Sequence, residues 1–235
     1  MNRRMIAIQV PTDWTWEMSN VMLSYVSEER QARCKRFVHD KDRIASLYSE
    51  LLARAMIAQF TNRRASQIAF GKNEYGKPYP LGISDIDFNI SHSGKWVLGA
   101  VSQRPIGVDV ERIHPINETA LAERFFAPVE AEMLNGIQQD EARKKRFYQI
   151  WSLKESYIKW KGTGLSTSLS SFSFRFDLDE QLHFQSDHPD CCYFHIDWLD
   201  EAHPFALCSS DPWQQAVEIE TIHPADLHAM IRMMG

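Results

Sequence analysis

Asp109 and Glu111 stand two residues apart in Ile106-Gly107-Val108-Asp109-Val110-Glu111-Arg112, whose alternating apolar residues predict a β-strand. A strand places residues i and i+2 on one face, so the two carboxylates project together while Val108 and Val110 face the other way. Paired carboxylates repel each other unless water or a cation screens them. Two readings fit: a wetted sheet face, or oxygen ligands for a hard divalent cation such as Mg²⁺, which typically takes one or two carboxylates together with substrate phosphates.

A second constellation lies in the helical stretch from Phe147 to Trp160. Glu155 and Lys159 are four residues apart, on one stripe with Trp151 and beside a second stripe of Ile150, Leu153 and Tyr157. A Glu and Lys pair at that spacing is ordinarily a surface ion pair contributing ~0.2 to 0.5 kcal/mol. Laid against the Asp109/Glu111 strand, it would instead add a third carboxylate for the metal and an ammonium one turn away. The third constellation, Phe88-Asn89-Ile90-Ser91-His92-Ser93-Gly94, is a strand running into a tight turn. It has no G-x-S-x-G elbow and a hairpin context, which argues against a serine hydrolase. Ser91 and His92 read either as structural polar residues or as phosphate donors, with Lys77 of the Gly76-Lys77-Pro78 loop as a further cation. Together, carboxylates for Mg²⁺ and Lys77, His92 and Lys159 for oxygens describe a diphosphate site.

The elements that must position these residues are legible in outline. Residues 5 to 10 predict a strand, and Glu28 to Phe60 a single helix capped by Ser27, with Leu47, Leu51, Ala55 and Ala58 on its apolar face. Ile86 to His92, Lys95 to Ser102 and Ile106 to Ile113 predict a three-stranded antiparallel meander. Helices follow over Asn117 to Phe126, Pro128 to Ile137 and Glu141 to Lys161, the last stopped by Gly162-Thr163-Gly164. Short strands fill 165 to 217, with turns at Asp187-His188-Pro189-Asp190 and Ser210-Asp211-Pro212, and a helix from Pro224 to Met233 closes the chain. Helix followed by meander occurs twice, around 28 to 102 and 141 to 217. This predicts an α+β fold of two similar halves, 1–104 and 105–235, each with a small antiparallel sheet and packed helices.

With 235 residues, 44% hydrophobic and 24% charged, the chain has the composition of a globular protein, and disordered or fibrous classes are excluded. Its longest apolar run, Trp96 to Val101, is of strand length, so no membrane span is expected. Pro11-Thr12-Asp13 ends the first apolar stretch too early for a signal-peptide core, which predicts a cytoplasmic protein. Cys34, Cys191, Cys192 and Cys208 lack zinc spacing and are expected to be reduced thiols, mostly in the core. The net charge is −5. Residues 27–72 hold ten basic against five acidic side chains, while 176–235 hold twelve acidic against Arg232 alone. The basic segment fits either a solvated helix face or an anion contact, but lacks the footprint that nucleic acid requires.

In order along the chain, Gly76-Lys77-Pro78, Asn89-Ile90-Ser91-His92-Ser93, Ile106-Gly107-Val108-Asp109-Val110-Glu111, Arg124-Phe125-Phe126 and Trp151-Ser152-Leu153-Lys154-Glu155-Ser156-Tyr157-Ile158-Lys159 resemble the successive motifs of the 4′-phosphopantetheinyl transferases, in the larger, monomeric, surfactin-synthetase-type branch. The resemblance implies a pseudo-dimer with its active site in the cleft between the halves. It implies Mg²⁺-dependent transfer of the 4′-phosphopantetheine arm of coenzyme A to a serine of an acyl or peptidyl carrier protein, with release of adenosine 3′,5′-bisphosphate. By motif position, Asp109, Glu111 and Glu155 would bind the metal, which the same carboxylates would also allow to be Mn²⁺. Ser91, His92 and Lys159 would contact the pyrophosphate, Lys77 would lie near the nucleotide end, and Glu155 would be the base for the incoming serine. Ser27 to Phe37 resembles the stretch that holds the coenzyme A 3′-phosphate, through Arg30 and Arg33, and Ser46 stands where an adenine contact is expected. The segment from Gly162 to Phe174 is a candidate carrier contact, with Leu165 and Leu169 either facing the carrier or filling the core. A Mg²⁺-dependent nucleotide-diphosphate hydrolase and a non-catalytic coenzyme A or carrier-binding module are the competing readings.

Overall fold

Alternation along the strands sorts the apolar residues onto two faces, and both faces of each of the two larger sheets are covered. The computed structural model describes residues 3–187, 191–213 and 216–235. In chain order its elements are β1 (Arg3–Gln9), α1 (Trp16–Asn20), α2 (Glu28–Arg36), α3 (Asp40–Thr61), β2 (Phe70–Lys72), β3 (Pro78–Pro80), β4 (Asp87–Ser93), β5 (Trp96–Ser102) and β6 (Ile106–Val110). They continue with α4 (Glu118–Phe125), α5 (Pro128–Gly136), α6 (Asp140–Lys161), β7 (Phe172–Phe176), β8 (Leu182–Ser186), β9 (Tyr193–Asp200), β10 (His203–Ser209), β11 (Glu220–Ile222) and α7 (Pro224–Met233).

The two halves repeat one topology. A strand leads through helices into a 22-residue helix, α3 or α6, then into two hairpins. The first strand of each half pairs with the last, giving the orders β1-β5-β4 and β6-β10-β9. This is an α+β pseudo-dimer, and the repeat turns over between β5 and β6. Four layers result. Ile6, Ile8, Val97 and Val101 pack under Leu47, Leu51 and Ala55 of α3. The opposite faces, carrying Met5, Ala7, Leu98 and Ala100 on one sheet and Val108, Val110, Phe205 and Leu207 on the other, meet in a shared core. Ala206 and Cys208 pack under Leu153 and Tyr157 of α6.

Several expectations are corrected. The helix from Glu28 to Phe60 is two helices, because Phe37 turns to an extended backbone (φ −72°, ψ 137°). The meander is a hairpin, β4–β5, and β6 belongs to the other sheet, because β1 occupies the free edge of β5 over seven residues. The C-terminal residues pack with the N-terminal half: β11 runs parallel beside β1, and Leu227 and Ile231 of α7 enter the core under α3. Of the cysteines, Cys34 and Cys208 are buried, whereas Cys191 is exposed and Cys192 half-buried, and the four are not joined in disulfides. The turn expected at 187 to 190 falls largely on residues outside those described. Among the described residues no helix is long and apolar enough to cross a membrane.

Candidate active site

Small residues decide how closely α6 rides on β6. A Cβ added at Gly107 would stand 2.1 Å from the Ser156 carbonyl oxygen and 2.4 Å from the Trp160 nitrogen, so only glycine admits the helix backbone here. The helix offers Ser152 and Ser156, both fully buried, toward this approach. Because Val108 and Val110 take the inter-sheet face, Asp109 and Glu111 project on the α6 side, next to Glu155 and Lys159.

Lys159 donates from Nζ to Asp109 Oδ1 at 2.6 Å and to Ser91 Oγ at 3.0 Å, and Ser91 donates to the same carboxylate oxygen at 2.9 Å. These three groups come from α6, β6 and β4, so the cluster spans both halves. The other oxygen, Asp109 Oδ2, is buried without a hydrogen-bond partner. Ser93 donates to Glu111 Oε2 at 3.2 Å. Electrostatically the three carboxylates act on one another. Burial, then Asp109 and Glu155, push the Glu111 carboxyl up to about 8. Burial, then Asp109, also raise Glu155, and burial raises Asp109 against the pull of Lys159. Negative charge is therefore crowded where one ammonium is present to offset it.

Among the described residues no three His, Cys, Asp or Glu side chains converge tightly enough to grip a metal ion as they stand. The donor set nevertheless fits a hard cation: the three acids offer only oxygens, one of them a buried carboxylate oxygen without a partner, and burial raises the pKa of all three where a cation would lower it.

A cavity of about 730 Å³ lies along β4, lined by Arg30, Arg33, Phe70, Asn89, Ile90 and His92 among others. His92 is exposed at the cavity wall. Desolvation by the surrounding protein, then Lys159, Arg33 and Arg30, hold its imidazole below the usual range. At the other end Glu50, only 5% exposed, accepts from Ser27, Arg30 and Arg54 and so fixes the start of α2.

Two matches of family models cover most of the chain. Residues 11–104 match the N-terminal region of 4′-phosphopantetheinyl transferase, and residues 105–208 match the 4′-phosphopantetheinyl transferase superfamily. A 4′-phosphopantetheinyl transferase of Bacillus subtilis is 38% identical over 204 residues, spanning 85% of this chain and 89% of the relative. The chain belongs to the 4′-phosphopantetheinyl transferases. Sfp of Bacillus subtilis strain 168 is also 38% identical, over 83% of this chain and 87% of its own length. The relative gsp of Aneurinibacillus migulanus is 40% identical over 72% of this chain and 69% of its own. The branch is thus the Sfp type.

Within this transferase the candidate residues fall into three groups. Ser91, Asp109 and Lys159 meet directly, and Glu155 stands close enough to Glu111 to help raise its pKa. Arg30, Arg33 and His92 line the cavity. Ser46 and Lys77 are elsewhere. Ser46, 2% exposed, accepts from Arg30 at 3.1 Å and braces that arginine from below instead of facing the cavity. Lys77 spends its ammonium on Asp87, at 2.7 Å, and on the Ile106 carbonyl, at 3.4 Å, a tie between the halves. Leu169 packs against the C-terminal core, and the Leu165 side chain lies outside those described. Reasoning from sequence missed Glu50, Gly107, Asn89 and Ser93. The polar alternation Asp87, Asn89, Ser91, Ser93 along β4 was the available signal.

Proposed function

We propose that this transferase moves the 4′-phosphopantetheine arm of coenzyme A onto a serine hydroxyl of an acyl or peptidyl carrier protein, with Asp109, Glu111 and Glu155 holding a divalent cation, Mg²⁺ or Mn²⁺. The observation that carries the assignment is the joining of Ser91, Asp109 and Lys159 across the halves, with Arg30, Arg33 and the neighbouring His92 lining one cavity. In this reading the serine oxygen bonds to the phosphorus bearing pantetheine, and the bond from that phosphorus to the bridging oxygen breaks, releasing adenosine 3′,5′-bisphosphate. Glu155 takes the serine proton. The bound cation would neutralise charge growing on the leaving phosphate, as is usual in phosphoryl transfer. Lys159 turns its ammonium to the same oxygens. His92, neutral because its pKa is lowered, donates a ring N–H to the diphosphate. Arg30 and Arg33 hold the 3′-phosphate.

All of these groups lie in one chain, so a monomer suffices. The division into halves at 104/105 is supported by the meeting of the two family matches there and by the turnover of the topological repeat. Coenzyme A as donor fits a cytoplasmic enzyme. Mass spectrometry of an apo carrier protein incubated with the enzyme, coenzyme A and Mg²⁺ tests the assignment. The expected result is a gain of one phosphopantetheine arm, lost with Asp109→Ala. Release of the bisphosphate without any carrier would point to a hydrolase instead, and full transfer by Asp109→Ala would end the metal assignment.

A further inference from the structure

β6 is the edge strand of its sheet, and an edge leaves every second amide without a strand partner. Toward β10 the pairing is regular and extends to the Glu111 amide, which donates to the Pro204 carbonyl at 3.0 Å. The other edge faces β4, which lies in the other sheet and offers side chains instead of backbone. Asp87 Oδ2 accepts from the Ile106 amide at 2.9 Å, Asn89 Oδ1 from the Val108 amide at 3.0 Å, and Ser93 Oγ from the Arg112 amide at 2.9 Å. At the remaining position of this i, i+2 row, Ser91 donates to the Asp109 carboxylate.

Direct backbone pairing would set the two strands about 4.8 Å apart. Linked through side chains they stand farther apart, which leaves room for Ser91, Lys159 and Asp109 to meet. The polar row therefore sets the register of one half against the other and, with it, the location of the β6 carboxylates. Ser93 does most at the metal end. A single hydroxyl accepts from the Arg112 backbone and donates to Glu111 Oε2, fixing both the carboxylate and the chain that carries it. Ser93 is itself held where it stands: it pairs with Trp96 across the two-residue turn Gly94-Lys95, where Gly94 takes φ +57°. A Cβ at Gly94 would stand 2.5 Å from His203 Nε2 and 2.9 Å from Arg112 Cδ, so the turn is seated against the C-terminal half.

We infer that Ser93 is a positioning residue that aims Glu111 at the divalent cation, with Asn89 holding the strand beneath it. The inference rests on the reading of Asp109, Glu111 and Glu155 as ligands. Groups that orient a metal ligand without touching the metal typically contribute about 10- to 100-fold in affinity. The test is Mn²⁺ titration followed by electron paramagnetic resonance, with coenzyme A present, on the wild type, Ser93→Ala, Ser93→Thr and Glu111→Gln, alongside the thermal midpoint of each. Ser93→Ala is expected to raise the Mn²⁺ dissociation constant about 10-fold or more and the Mg²⁺ needed for half-maximal transfer in parallel. The threonine hydroxyl can make both bonds, so Ser93→Thr is expected to recover most of the affinity. A purely structural serine would instead lower the midpoint and leave the Mn²⁺ affinity of the folded protein alone. If the wild type binds Mn²⁺, Glu111→Gln weakens it and Ser93→Ala does not, the positioning role is overturned and the ligand assignment stands. If Glu111→Gln binds as the wild type does, the ligand assignment itself falls.

Discussion

Gly107→Ala probes the contact on which the site geometry depends. The new Cβ would meet the Ser156 carbonyl oxygen at 2.1 Å and the Trp160 nitrogen at 2.4 Å, both backbone atoms that no rotamer change can move. A carbon and a carbonyl oxygen settle no closer than ~3.3 to 3.6 Å, so α6 must retreat by about 1.2 to 1.5 Å. Lys159 lies between those two contact points in the chain. The retreat would stretch its 2.6 Å bond to Asp109 beyond hydrogen-bonding range and carry Glu155 away with it. A misplacement of ~1 Å costs about 100-fold in rate, and overpacking costs about 1 to 3 kcal/mol. For a chain of this length that corresponds to a fall of roughly 2 to 12 °C in Tm. The assay is kcat for carrier modification measured well below the midpoint, with calorimetry on the same sample. Turnover within threefold of wild type, with an unchanged midpoint, would refute the argument that close packing of α6 on Gly107 aligns the site.

Lys154 and Glu130 form a fully buried pair at 2.7 Å, with Lys154 also donating to the Leu169 and Phe172 carbonyls. Burial brings the lysine down to about 8. Lys154→Ala strands the carboxylate and is expected to cost about 3 to 5 kcal/mol in denaturant unfolding, whereas Lys154→Met combined with Glu130→Gln is expected to recover much of that loss. On the far side of the molecule, Tyr48 OH and His228 Nε2 meet at 2.9 Å, and burial, then Arg232 and His223, hold the imidazole down at about 4. Below pH 6.5 the unfolded chain takes up a proton that the folded chain refuses, so this residue makes stability fall from about pH 6.5 to pH 4. Thermal midpoints across that window are expected to fall less steeply in His228→Gln than in the wild type, and parallel profiles would refute it.

How much of this was legible beforehand follows from which interactions are local. The α7 bounds, the capping of α2 by Ser27 and the stop of α6 at Gly162 (φ +73°) depend on neighbours within a turn or two, and reading the chain in order captures them. The same holds for the shared face of Asp109 and Glu111, which needs only the twofold period of a strand. The partner of β6 does not follow from periodicity. Ile106, Val108 and Val110 alternate equally well beside β5 or beside β10, and β1, arriving from the other end of the chain, settled the competition by taking the β5 edge. The break at Phe37 was hidden for a related reason: apolar residues on either side keep helical spacing, so the pattern reads through it.

The residue types, their order and their periodicity by themselves supplied three acids, basic side chains and a histidine, grouped in short motifs on a duplicated α+β plan; a cation and phosphates as their ligands belong to the proposed reading. Tertiary structure alone decided which of those groups share a cavity. It turned Lys77 and Ser46 into braces, brought Lys159 onto Asp109, and gave Ser93 and Gly107 their importance. The physical reason is that hydrogen bonds across β4, β6 and α6 join residues up to 68 positions apart, and no local pattern encodes a contact whose two sides are fixed independently by different cores.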